Sequence, residues 1–106
     1  MSWDSSIKEF KYYLQIERSL AANSVQAYIR DINKLAAFCS KINKTEISTS
    51  TSDIREFISV LNDDGISARS QARIISGIKS FYKYLIIEDY INNDPTMLIE
   101  NRKIGL

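Results

Sequence analysis

The sequence predicts an all-α domain, a small bundle of four main helices. Only 3 glycines and 1 proline occur among 106 residues, so few positions break a helix. Apolar residues recur at three- and four-residue steps in four stretches, and the strict alternation typical of strands is absent. Short connectors join the four stretches, as in a bundle. A chain of this length is expected to form one domain.

The first helix is predicted from about Ser5 to Arg18. Ser6 and Glu9 have the spacing of a capping box, so we expect them to close its N-terminus. Two adjacent tyrosines, Tyr12 and Tyr13, flank the apolar stripe and are interpreted as packing residues. The stripe itself consists of Trp3, Ile7, Phe10 and Leu14.

The second helix is predicted from about Asn23 to Lys41. Its core face contains the sole cysteine, Cys39, which we interpret as a small buried residue. The residues of that face are Val25, Tyr28, Ile29, Ile32, Leu35, Ala36 and Cys39, with Phe38 at its margin. Its opposite face is polar and carries Asn23, Gln26, Ala27, Arg30, Asn33 and Lys34.

A connector from Lys44 to Thr49 follows, with Ile47 expected to insert into the core. The third helix is predicted from about Thr51 to Asn62, and Ser50 with Asp53 fits its N-terminal cap. Its inward residues are Ile54, Phe57, Ile58 and Leu61. Gly65 in the next turn is suited to positive φ.

The fourth helix is predicted from about Ala68 to Asp89, with Ser67 as its N-cap. Gly77 in its middle is interpreted as a site of tight helix–helix contact, in preference to close approach to a ligand. Apolar residues form its inner stripe: Ile74, Ile75, Ile78, Phe81, Tyr82, Leu85 and Ile86. The other face carries Arg69, Arg73, Ser76, Ser80 and Lys83, with Lys79 at its edge. Either a solvated core helix or one that lies against a nucleic-acid backbone has this pattern.

The charge is unevenly distributed along the chain, although the net charge is only +1. Residues 23–44 sum to +3 and residues 66–87 to +4, whereas residues 45–65 between them sum to −4. If the two basic segments share a face, the domain is electrically two-sided and attracts an anionic partner there.

The sequence carries no pattern for catalysis, a metal or a cofactor. It contains no histidine and 1 cysteine, so a Ser–His or Cys–His set and a cysteine cluster for zinc are excluded. No phosphate-binding glycine pattern occurs, and Glu9 and Glu17 lie on solvated helix faces. Without an apolar run of about 18 residues or a signal pattern, we expect a cytoplasmic protein with no membrane partner and no small-molecule substrate.

The run ERSLAANSVQAYIRDI, residues 17–32, is close to the pattern R-G-L-S-x-N-T-L-x-A-Y-x-x-D-L. This pattern belongs to the N-terminal part of tyrosine recombinases, also called phage integrases, which the chain therefore resembles. The run GISARSQARIISGIKSFYKYL, residues 65–85, resembles the fourth helix of the same family, and Asn92–Pro95 its interdomain exit. Ser19 replaces the usual glycine, and Ala21 replaces a frequent serine cap. The resemblance is strongest to Xer-like recombinases and mobile-element integrases of bacteria.

The resemblance implies a SAM-like core-binding domain over residues 1–91, with residues 92–106 beginning a linker. In that family this domain covers one side of a DNA duplex, and a separate C-terminal domain supplies the catalytic residues, including an H-x-x-R motif. Because histidine is absent, we assign no nucleophile among the tyrosines and expect no catalysis from this chain alone. The implied partners are double-stranded DNA and sister recombinase subunits on that DNA.

The positions that match the DNA-facing part of the family lie in the second and fourth helices. Arginines and lysines there are predicted to neutralise phosphates, and the amides to read base edges. These residues are Asn23, Ser24, Gln26, Ala27, Arg30, Arg69, Ser70, Arg73, Ser76 and Lys79. A helical protein–protein interaction domain without DNA binding remains the alternative.

Overall fold

The computed structural model describes residues 2–100, which form four helices and no strand. The helices are α1 (Trp3–Ile16), α2 (Ala22–Lys41), α3 (Thr51–Asp63) and α4 (Ala68–Ile87). Helix α2 packs against α1, α3 and α4, and α3 also contacts α4. The predicted all-α bundle is therefore confirmed, with the contacts organised around α2.

The N-terminus of α1 differs from the prediction. Ser2 is the N-cap: its hydroxyl accepts a hydrogen bond from the Ser5 backbone N–H, and Ser5 completes the capping box. The predicted pair of Ser6 and Glu9 is wrong, because Ser6 is fully buried and bonds the Glu46 carboxylate. The helix accordingly begins and ends two residues earlier than predicted.

The apolar stripes of all four helices meet in one core. The α1 residues predicted to face inward, Trp3, Ile7, Phe10 and Leu14, are all buried, as is Cys39 on α2. Aromatic rings join α1 to α4, since Phe81 lies 5.4 Å from Phe10 and 5.9 Å from Trp3 between ring centroids. Burial raises the pKa of the Cys39 thiol, which is consistent with a packing residue.

The connector between α2 and α3 is fixed to the core by polar contacts. Trp3 Nε1 donates to the Lys44 carbonyl at 3.0 Å, and the Tyr82 hydroxyl donates to the Glu46 carbonyl at 3.0 Å. These bonds turn Glu46 inward, so the prediction for Ile47 is wrong: its side chain is 49% exposed. Glu46 is fully buried, and its Oε1 has no hydrogen-bond partner within residues 2–100.

Local capping residues set both ends of α4 and the turn before it. Ser67 accepts from the Ser70 N–H at 3.2 Å, which confirms it as the N-cap of α4. Gly65 has φ +79°, the left-handed conformation that glycine adopts at low cost. Helix α4 ends two residues before the predicted Asp89, which itself has φ 58° and terminates the helical conformation.

Asp53 closes the N-terminus of α3 as predicted. Its Oδ2 accepts from the Ser50 N–H at 2.9 Å and lies 3.3 Å from Lys44 Nζ. The backbone hydrogen bond from Ser50 is the main cause that lowers the pKa of Asp53 below its ordinary value of 3.8. The charged carboxylate therefore stabilises the folded state above that value, and this stabilisation disappears as the pH falls through the folded-state pKa.

We expect Asp53→Asn to lower the free energy of unfolding by about 1 kcal/mol near neutral pH, because the cap and the helix-dipole interaction weaken. Urea unfolding followed by circular dichroism at about pH 7 and about pH 3 measures this difference, which should shrink at the lower pH. Glu56→Gln, at an exposed position of the same helix, is the matched control. An equal loss in both variants would contradict the role of the cap.

Residues 92–100 pack against the helices. Thr96 and Ile99 are buried, and the Thr51 hydroxyl donates to the Pro95 carbonyl at 2.7 Å. The domain boundary at residues 91/92 stays a prediction, and the predicted linker residues 101–106 lie outside the described residues. Over the part of the chain that the structure covers, no helix is both long and apolar enough to cross a membrane.

Candidate nucleic-acid interface

The five predicted residues of α4 differ in their exposure. Arg69, Arg73 and Ser76 are exposed, and Ser70 and Lys79 are half-buried. The Ser70 backbone N–H is bonded to the Ser67 hydroxyl, so it is not available to an anion. The group that Ser70 can offer to a ligand is therefore its side-chain hydroxyl.

The start of α2 is exposed and has no side-chain cap. Ala21 occupies the N-cap position and makes no side-chain hydrogen bond, as its replacement of the family serine implies. Ser19, which replaces the family glycine, has φ 50° in the left-handed region that disfavours most side chains. The following predicted residues are exposed except for half-buried Ala27: Asn23, Ser24, Gln26, Ala27 and Arg30.

Arg73 is paired with a buried aspartate across the α2–α4 contact. Its Nε donates to Asp31 Oδ2 at 3.0 Å and its Nη2 to Asp31 Oδ1 at 3.1 Å. The Asp31 side chain is 0% exposed and that of Arg73 is 43% exposed. The hydrogen bonds with Asp31 raise the pKa of Arg73. Arg73 thus holds a fixed orientation, and much of its positive charge is compensated.

Gly77 lies in close contact with α2, which confirms the predicted helix–helix contact. A Cβ placed on Gly77 would lie 3.1 Å from Tyr28 Cδ1 and 3.9 Å from Asp31 Cβ. Tyr28 and Asp31, one turn apart on α2, therefore both contact α4 between Arg73 and Gly77.

A groove of about 400 Å³ separates the exposed face of α2 from α1. Gln26, Arg30 and Asn33 line it from α2, one helical turn apart, and Lys11 lines it from α1. Half-buried Ile29 is the remaining lining residue. We name these five residues the α1–α2 groove. Two of the ten predicted residues, Gln26 and Arg30, belong to it.

The sequence prediction did not single out Asp31 or Lys11. Asp31 follows Tyr28 by three residues and precedes Leu35 by four, which places it on the core face of α2. A charged residue on that face indicates a buried partner. Lys11 had no comparable signal, because its position beside Arg30 depends on how α1 packs on α2. Contact of the ten predicted residues with DNA stays a prediction.

The comparisons with known proteins identify the class. The phage integrase N-terminal SAM-like domain family matches residues 7–89, and the chain belongs to this family. No solved structure gives a significant match.

The most informative relatives are whole recombinases. The chain is 38% identical over 102 residues to tyrosine recombinase XerD of Staphylococcus saprophyticus, and 36% identical over 100 residues to tyrosine recombinase XerD of Oceanobacillus iheyensis. These matches cover 94% and 92% of this chain but 34% of each relative. The chain thus spans about a third of the length of the curated relatives it matches, and it corresponds to a tyrosine recombinase N-terminal domain.

Proposed function

We propose that this chain is the DNA-binding domain of a site-specific tyrosine recombinase. It grips one side of the duplex at the recombination site, while another part of the protein, not contained in these 106 residues, cleaves the strands. The observation that supports the proposal best is that α2 and α4, joined by the Asp31–Arg73 pair, both expose cationic side chains and that α2 also exposes amides. Cationic side chains neutralise phosphates, and amides pair with adenine edges.

Arg69 is the residue that tests the proposal with least interference from folding. It is exposed, and within residues 2–100 it makes no ion pair, so its replacement removes a charge without breaking an ion pair. Arg73 is unsuitable for this purpose, because its loss would leave Asp31 buried and unpaired.

We expect Arg69→Gln to lower the slope of log affinity against log salt concentration by about 0.9, the value for one phosphate contact. At about 0.1 M salt the same contact corresponds to about eightfold in affinity. Fluorescence anisotropy with a labelled duplex, titrated between about 50 and 200 mM salt, measures both quantities. Lys83→Gln is the matched control, since it removes an exposed charge from the other end of the same helix.

A second groove supports the alternative, a protein–protein interaction domain. Its volume is about 310 Å³, and aromatic and acidic side chains from α1 and the end of α4 line it: Glu9, Tyr12, Tyr13, Ile16, Glu17, Tyr84 and Glu88. Tyr12 and Ile16 are 68% and 65% exposed, and burial raises the pKa of Tyr84 to about 12. We propose that sister subunits contact this groove on DNA. If the affinity for DNA did not change between about 50 and 200 mM salt, protein binding as the sole function would be favoured.

A further inference from the structure

We propose that the α1–α2 groove is a phosphate-binding site and that Lys11 contacts the DNA backbone there. The inference rests on the proposed function and adds α1 to a surface so far confined to α2 and α4. Lys11 is exposed, and it lies with Arg30 around one cavity although the two belong to different helices. Two cations that converge on one concave site attract an anion more strongly than either does alone.

The side chains that line the α1–α2 groove indicate which class of ligand it would bind. Of its five lining residues two are cationic, two are amides and none is acidic. The amide N–H groups of Gln26 and Asn33 donate to phosphate oxygens, and the Ile29 side chain offers an apolar contact for the adjoining deoxyribose. The groove between α1 and α4, by contrast, carries Glu9, Glu17 and Glu88 and would repel a phosphate. The phosphodiester of a nucleic-acid backbone is therefore the ligand group that fits this lining.

The position of the groove makes double-stranded DNA the source of that phosphate. Arg30 and Gln26 line the groove and also belong to the predicted DNA-contacting residues of α2. A duplex that reaches the start of α2 therefore passes the mouth of the groove, and its backbone supplies the phosphate. Lys11 then fixes the angle at which the duplex crosses α2, because a contact from α1 lies to one side of that helix.

The test compares Lys11→Gln with Lys8→Gln in the whole chain. Both residues are exposed on α1, but Lys8 is not among the residues that line the groove. We expect Lys11→Gln to lower the salt slope by about 0.9 and the affinity for a labelled duplex by about eightfold at about 0.1 M salt. Lys8→Gln should retain the wild-type slope, and Lys11→Arg should restore it. Unchanged circular dichroism shows that each variant is folded.

Equal slopes in Lys11→Gln and Lys8→Gln would overturn the proposal. If Arg69→Gln still lowers the slope in that case, the α1–α2 groove is not a contact but the DNA-binding function stands. If the wild-type protein shows no salt dependence, both fail. Inorganic phosphate is the second probe, followed through the side-chain amide signals of Gln26 and Asn33. Saturation at millimolar phosphate would overturn the DNA backbone as ligand in favour of a free anion.

Discussion

We expect Arg73→Met to lower the free energy of unfolding by about 3 kcal/mol. The substitution leaves the fully buried Asp31 carboxylate without its two hydrogen bonds from Arg73. Removing one partner of a buried ion pair costs roughly 3–5 kcal/mol. The lower end of that range applies, because the Arg73 side chain is 43% exposed and water solvates part of the pair. Urea unfolding followed by circular dichroism measures the change.

A double-mutant cycle separates the ion pair from other effects of the substitution. Asp31→Asn in the Arg73→Met background removes the buried charge, so we expect it to recover most of the lost stability. Arg69→Met, one turn earlier on the same helix and exposed, should change stability by less than about 0.5 kcal/mol. If Arg73→Met and Arg69→Met were equally stable, the pair would contribute nothing to folding.

The ion pair also complicates any DNA-binding measurement on an Arg73 variant. Arg73→Glu would place a second carboxylate against Asp31, so any loss of affinity would combine unfolding with the loss of a DNA contact. A folded Arg73 whose charge Asp31 compensates is better suited to directional hydrogen bonding than to general attraction of phosphates. Arg69 and Arg30 are therefore the cleaner probes of phosphate contact.

Phe81→Ala is expected to lower the free energy of unfolding by about 4 kcal/mol, within the range for deleting a buried aromatic side chain. The Phe81 side chain is 0% exposed. Its ring contacts Trp3, Phe10 and Tyr82, with centroid distances of 5.9, 5.4 and 5.3 Å. The substitution thus opens a cavity where α1 docks on α4. The urea midpoint by circular dichroism is the measurement.

Two controls accompany the Phe81 variant. Phe81→Leu keeps most of the volume and should lose less than about 1.5 kcal/mol. Tyr12→Ala removes a ring that is 68% exposed, so its effect should stay below about 0.5 kcal/mol. A loss in Tyr12→Ala as large as that in Phe81→Ala would mean that burial does not decide the cost, contrary to the packing described.

The helices were predictable because their signals are local. Apolar spacing on α1 and α4 identified the buried faces, and the caps Ser50 and Ser67 lie beside the helices they close. The error at Ser6 shows the limit of such signals, since its hydroxyl serves Glu46, 40 residues away. The N-cap is instead Ser2, and Ser6 lies inside the helix with its side chain in the core.

The exposure of the candidate site residues was predictable, but their geometry was not. Periodicity and family resemblance identified Arg69 and Arg30, because both lie on non-core faces. No local pattern relates Arg73 to Asp31, whose positions differ by 42 residues. The same applies to Lys11, whose place beside Arg30 results from the packing of α1 on α2. Interactions between distant residues require the packed structure.

The contact of Gly77 with Tyr28 makes the separation of α2 and α4 depend on the size of one side chain. A Cβ at position 77 would lie 3.1 Å from Tyr28 Cδ1 and 3.9 Å from Asp31 Cβ. A larger residue there would have to displace the Tyr28 ring or move the two helices apart. Because the predicted surface is divided between α2 and α4, the spacing between its two halves depends on this glycine.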